Sequence, residues 1–309
     1  MRDDTNPKTA TTKPDHRSLL FLPASVVADP THPLPDYYRR CASGQLRAEF
    51  RADIFILDLE DSVAASARAA ACSAAAAFLD GMPGQAPTNV FLRVSGMQAL
   101  RDREAELASH PSVAGIVIPK VERDTLDEVG AGLFDLGKPV WPIVETAKGF
   151  ADKSQTIKLV REGQKNPGAI CVILGRDDLA ASLRMDRERM TPERFASFFL
   201  DFVCACRAEG CDPIGPVFNE PENATGLIQE LSALRTMGFG GSLCVFPNQV
   251  KEVNRAFAFV TPELRSKYVS IRTALTQASE SGLGWIIHDG RKYDTADLAY
   301  IDFVLSKET

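Results

Sequence analysis

Eight short apolar runs, each followed by a longer stretch of mixed polarity, constrain the fold of this 309-residue chain more than any other feature. They are Ser18–Pro23, Ile54–Asp58, Asn89–Val94, Gly115–Pro119, Pro139–Val144, Ala169–Leu174, Cys211–Val217 and Gly241–Phe246. Runs this short and this apolar suit strands buried on both faces, as in a parallel sheet. Parallel neighbours need long crossovers, usually helices. Ala64–Leu79 is nearly all alanine, a strong helix former. Arg123–Leu136, Ala151–Glu162, Pro192–Glu209 and Ala224–Met237 also read as helices, with Thr191 as a cap and Pro192 in the first turn. Eight strands alternating with helices predict a (β/α)₈ TIM barrel, which needs roughly 250 residues, rather than an open sheet. Cys211–Val217 is the weakest strand, because it carries two prolines and a glycine.

The barrel is expected over residues 18–260, after a polar, flexible tail at residues 1–17. Residues 261–309 then form a C-terminal helical arm or lid. Within the arm, Thr261–Ser279 reads as a helix and Gly282–Gly290 as a turn with a short apolar segment. A second helix from Asp294 places Leu298, Ile301 and Val304 on one face. A formal charge of −6 and a pI near 5.4 argue against a nucleic-acid partner. No apolar run approaches the roughly 20 residues that span a bilayer. The start lacks the apolar core of a secretory signal, so a cytoplasmic location is expected. Of the seven cysteines, only Cys204, Cys206 and Cys211 cluster. A fourth zinc ligand at sensible spacing is missing, so they read as small buried hydrophobes in a reducing compartment.

In a barrel of this kind the active site sits at the C-terminal ends of the strands. The polar residues there are Asp58, Glu60 and Asp61 after the second run, Arg93 in the third, Lys120 and Glu122 after the fourth, Glu145 after the fifth, and Asp177 and Asp178 after the sixth. Any one of them could be a solvated or paired surface charge. Their recurrence on successive strands is what points to a site. Carboxylates at neighbouring strand ends suit a hard divalent cation; Mg²⁺ usually keeps several waters and takes one or two protein carboxylates. Arg93 beside them offers a planar fork for a carboxylate.

Five of these segments, in order, resemble the citrate lyase β-subunit-like family of the HpcH/HpaI aldolase group. They are Leu57-Asp58-Leu59-Glu60-Asp61-Ser62-Val63, Leu92-Arg93-Val94-Ser95-Gly96, Ile118-Pro119-Lys120-Val121-Glu122, Val144-Glu145-Thr146-Ala147-Lys148-Gly149 and Gly175-Arg176-Asp177-Asp178-Leu179. The resemblance extends through Gly238-Phe239-Gly240-Gly241 and Phe246-Pro247-Asn248-Gln249 to Asp289-Gly290-Arg291-Lys292-Tyr293-Asp294. It implies a TIM-barrel enzyme that makes or breaks a carbon–carbon bond beside a coenzyme A thioester. It also implies Mg²⁺ (or Mn²⁺) on Glu145 and Asp178, with Asp177 a neighbouring acid that is not a ligand. Arg93 then holds the substrate carboxylate, Glu60 orients Arg93 or a metal-bound water, and Lys120 is a substrate-side cation. Asp294 matches the aspartate that enters an adjacent subunit's site in the CoA-lyase branch, which implies a homotrimer or hexamer. The residues alone read Asp294 as a helix N-cap.

The leading expectation is therefore a Mg²⁺-dependent lyase that cleaves a citramalyl-, malyl- or citryl-CoA type thioester to acetyl-CoA and a keto acid. Two alternatives stand beside it. One is a pyruvate-releasing, metal-dependent aldolase, for which the early histidines His16 and His32 are poorly placed. The other is a non-catalytic ligand-binding member, motivated by two departures from the family. Pro23-Ala24-Ser25 lacks the arginine that helps hold the CoA phosphates, and Phe246 replaces a histidine. Arg176 is a third departure, at a position that is small or uncharged in many relatives.

Overall fold

A computed structural model describes residues 16–82, 89–96, 98–99, 103–164, 169–186, 190–258 and 261–306. Eight parallel strands close into a barrel in sequence order. They are β1 (Ser18–Pro23), β2 (Ile54–Asp58), β3 (Asn89–Arg93), β4 (Val113–Ile118), β5 (Val140–Val144), β6 (Cys171–Leu174), β7 (Asp212–Gly215) and β8 (Gly241–Cys244). The barrel shuts through Ser18 opposite Ser242 and Leu20 opposite Cys244. All eight runs become strands, the doubtful seventh included, though it shortens to four residues. The strands bury almost every side chain because helices cover one face and the barrel interior the other. Inside, Phe91 stacks on Trp141 with centroids 4.0 Å apart.

Three local expectations change. The helix expected from Pro192 begins at Ala196; Thr191 accepts a hydrogen bond from the Arg194 N–H at 3.4 Å and caps only a turn. Ala64–Leu79 opens as a short 3₁₀ turn over Ala65–Ala67 before the α-helix Arg68–Asp80. Gly282–Gly290 is the first half of a hairpin, with β9 (Trp285–His288) antiparallel to β10 (Arg291–Asp294). Asp289 and Gly290 both take positive φ at its turn, +49° and +74°; an Asp-Gly pair supplies such a turn cheaply. That turn chemistry was visible in the sequence.

The structure divides into two compact units, at Phe257 and Ala258. In the C-terminal unit the helix Pro262–Glu280, the hairpin and the helix Leu298–Leu305 share a small core of Ile271, Leu275, Tyr293 and Ile301. Residues 1–15 of the expected tail lie outside the described residues. Arg17, also assigned to that tail, holds Asp53 through its backbone N–H at 2.8 Å and its guanidinium at 2.9 Å. The described cysteines are free thiols, six buried and Cys204 exposed. No helix among the described residues is long and apolar enough to cross a membrane.

Candidate active site

Strand register brings the first acid and base together. Asp58 and Arg93 end neighbouring strands as direct partners across β2 and β3. The Arg93 guanidinium donates to both Asp58 oxygens, Nε at 2.5 Å and Nη2 at 2.8 Å, and its Nη1 lies 3.0 Å from Glu60 Oε2. Arg93 also sits over the Phe21 ring, 4.5 Å from its centroid. All three charged side chains are at least nine-tenths buried. Burial works most strongly against the Asp58 carboxylate, but the Arg93 hydrogen bonds and charge, with the Ser62 hydroxyl and the Glu60 N–H, together lower its pKa. Burial, then the Asp61 hydrogen bond, raises the Glu60 carboxyl despite Arg93 and Lys120. Because Asp58 fixes one edge of the guanidinium and Glu60 part of the other, Arg93 presents its remaining N–H groups in one orientation.

The second cluster comes from β4, β5 and β6. Glu145 follows β5 and is 4% exposed. Its Oε1 accepts the Lys120 backbone N–H at 2.7 Å. Gly175 follows β6 and packs against the Glu145 side chain so closely that a Cβ there would overlap the carboxylate. Burial pushes the Glu145 carboxyl up to about 8, and the Asp178 charge adds to that push, while Lys120 and Arg93 oppose it. Lys120 takes a left-handed φ of +49° and carries its ammonium onto Glu60, 3.4 Å from Asp61 and 3.5 Å from Asp178. Asp58, Asp61, Arg93, Glu145, Asp177 and Asp178 all line one cavity of about 350 Å³ over the strand ends. Among the described residues no three His, Cys, Asp or Glu side chains converge on a single point. Of the acids lining the cavity, Glu145 and Asp178 are the pair that would hold a divalent ion, with water or substrate completing the shell, as Mg²⁺ usually requires. A buried carboxylate with its pKa driven upward gains from such an ion, so the donor set fits.

The family model for C–C bond lyases of the TIM-barrel fold matches residues 45–279. The chain belongs to that family. A (3S)-malyl-CoA thioesterase of Cereibacter sphaeroides is 29% identical over 244 residues, 78% of this chain and 81% of the relative. The fold is shared by a citrate lyase from Burkholderia xenovorans, at a TM-score of 0.74 and 18% identity, covering 94% of this chain and 90% of that one. It is shared too by the protein CitE from Mycobacterium tuberculosis, solved with magnesium, acetoacetate and coenzyme A. That match has a TM-score of 0.66 and 22% identity, and covers 95% and 98% of the two chains.

In this C–C bond lyase family member, five of the six expected site residues, Glu60, Arg93, Lys120, Glu145 and Asp178, gather at the barrel mouth through the contacts above. The sixth, Asp294, ends β10 in the C-terminal unit. There it accepts the Ala296 N–H at 3.0 Å and the Lys292 ammonium lies 3.2 Å away, the N-cap that its own sequence neighbourhood suggests. Asp177 lines the same cavity, but its carboxylate is held by Arg176 and Asn219. Arg176 is buried; it pairs with Glu230 at 2.8 Å and donates to the Val217 carbonyl at 2.9 Å, tying the turn after β6 to the segment after β7. Val245 rather than Phe246 lines the cavity at the eighth strand end. The sequence reading missed the anchoring role of Asp58 and the space that Gly175 leaves. Both were hinted at by position: Asp58 closes the second apolar run, Arg93 stands one residue before the end of the third, and Gly175 is the first residue after the sixth.

Proposed function

We propose that this protein is a Mg²⁺-dependent carbon–carbon lyase that cleaves a 3-hydroxy-carboxyacyl-CoA thioester, of citramalyl-, malyl- or citryl-CoA type, to acetyl-CoA and a keto acid. The observation that carries the reading is a cavity over the strand ends that the fixed guanidinium of Arg93 lines together with the Glu145 and Asp178 carboxylates. Glu145 and Asp178 are assigned the metal. When bound, the ion supplies Lewis-acid polarisation of the substrate oxygen. Arg93 grips the carboxylate of the acyl group with the N–H groups that Asp58 and Glu60 leave free. Cleavage takes the proton from the 3-hydroxyl and breaks the C2–C3 bond. The bonding pair passes to C2 as a thioester enolate, C3 becomes the carbonyl of the keto acid, and a proton returned to C2 gives acetyl-CoA. Glu60 is assigned to orient Arg93 and the water beside it, and Asp294 to handle the proton at C2.

Asp294 is assigned this role in the cavity of a neighbouring copy, in a homotrimer or hexamer. Exposed Trp285 and Ile287, two residues apart on one face of the hairpin, support an assembled state, since large apolar side chains at 45% and 60% exposure gain from cover. Mixing inactive Asp294→Asn protein with inactive Asp178→Ala protein under subunit exchange is expected to restore activity. Each mixed interface can pair an intact barrel with an intact arm. If no activity returns although exchange is demonstrated by mass, the role across subunits fails.

A second reading, thioester hydrolysis, is favoured by the malyl-CoA thioesterase among the relatives. In that case water attacks the thioester carbonyl and the products are the hydroxy acid and free CoA. Incubating the protein and Mg²⁺ with malyl-, citramalyl- and citryl-CoA separates the two. The lyase yields acetyl-CoA without free thiol, and a thioesterase yields free thiol with no acetyl-CoA. Neither product from any of the three would leave a ligand-binding role.

A further inference from the structure

Lys120 touches both carboxylates assigned to the metal, and does so from the two ends of one residue. Its backbone N–H donates to Glu145 Oε1 at 2.7 Å, and its ammonium lies 3.5 Å from Asp178 Oδ2. The same ammonium is hydrogen-bonded to Glu60 and stands 3.4 Å from Asp61. This reach depends on a φ of +49°, a region that a residue with a Cβ enters only at a cost. The side chain remains 45% exposed, so it is not locked in place by packing. A lysine ammonium is a compact charge on a flexible stem. Set among Glu60, Asp61 and Asp178, it neutralises carboxylates whose mutual repulsion would otherwise open the site. A divalent ion settling on Asp178 meets that ammonium as a like charge at contact distance.

We propose that Lys120 is an exchangeable counter-ion: it holds Asp178 in the metal-free protein, yields it to the entering divalent ion, and then turns its ammonium to the anionic end of the substrate. The inference rests on the assignment of the metal to Glu145 and Asp178. Through the exchange the Lys120 N–H stays on Glu145, so one ligand keeps its aim while the other changes partner. The order of binding follows: metal first, then the anion, with the Lys120 charge opposing the first step and favouring the second. Lys120 is thus a positioning residue for the metal site before it is a substrate contact.

The test is calorimetric titration of Mg²⁺ into chelator-stripped wild type, Lys120→Met and Lys120→Arg. Removing a unit charge beside a divalent ion is expected to tighten Mg²⁺ binding by on the order of tenfold in Lys120→Met. Lys120→Arg, which keeps the charge, is expected to stay near wild type. The melting temperature of stripped Lys120→Met is expected to fall below that of stripped wild type, and the gap to close when Mg²⁺ is added. At saturating Mg²⁺ the KM for the thioester is expected to rise more than kcat falls. Lys120→Gln, which keeps most of the stem, takes the same titration if the methionine variant does not fold. Equal or weaker Mg²⁺ binding by the neutral variants, with wild type binding normally, overturns the counter-ion role and leaves the metal assignment standing. No Mg²⁺ binding by wild type overturns both.

Discussion

Asp178→Ala is expected to lose both Mg²⁺ binding and carbon–carbon cleavage while keeping its fold. The fold survives because the side chain is 39% exposed and its ion-pair partner, Lys120, has Glu60 and Asp61 to fall back on. The metal does not survive, because one of only two carboxylates assigned to it is gone. Lewis-acid stabilisation is worth several kcal/mol in the transition state, so the rate should drop by about a thousandfold or more. Asp177→Ala is the control. Its carboxylate faces Arg176 and Asn219, so Mg²⁺ affinity should change little. Calorimetry with Mg²⁺ and an acetyl-CoA assay read both variants. An Asp178→Ala protein that binds Mg²⁺ and turns over like wild type would sink the assignment.

Arg93→Met is expected to cost both stability and substrate binding, and the two losses can be separated. Asp58 is 1% exposed and its carboxylate rests on the bidentate pair with Arg93. Removing one partner of a buried pair leaves an uncompensated charge, at a cost of about 3–5 kcal/mol. In wild type the Asp58 pKa is lowered on folding, so the pair stabilises above the unfolded carboxyl value and that gain is lost as pH falls through the folded one. In Arg93→Met only the Ser62 hydroxyl and the Glu60 N–H still hold the carboxyl down, against burial, which raises it. The stability difference between the two proteins should therefore be largest near neutral pH and shrink in acid. The double variant Asp58→Asn, Arg93→Met removes both charges and should recover much of the melting temperature. Its KM should stay high, because no guanidinium remains for the substrate carboxylate. A double variant that regains full thioester affinity would show Arg93 to be structural only.

The eight strands were legible because a strand buried on both faces must be apolar throughout, and that signal does not depend on its neighbours. The ring of charge was legible for a related reason: a barrel collects the residues that follow its strands at one rim. Other features depend on partners distant in sequence. Ala196, not Pro192, starts its helix because Thr191 closes a turn on Arg194 instead of capping a helix. Arg176 is a departure in the sequence and an ion-pair partner of Glu230 in the fold, 54 positions away.

By itself, then, the sequence determined the barrel, its C-terminal rim and the residue types gathered there, because periodicity and apolar content are local properties. Tertiary structure alone decided how those charges pair. The register of β2 against β3 hands Arg93 to Asp58 first and Glu60 second. The lack of a side chain at Gly175 makes room for the Glu145 carboxylate. One left-handed residue sends the two ends of Lys120 to Glu145 and Asp178. Each of these depends on where two distant backbone segments meet, and Coulomb energies and close contacts change steeply over that distance.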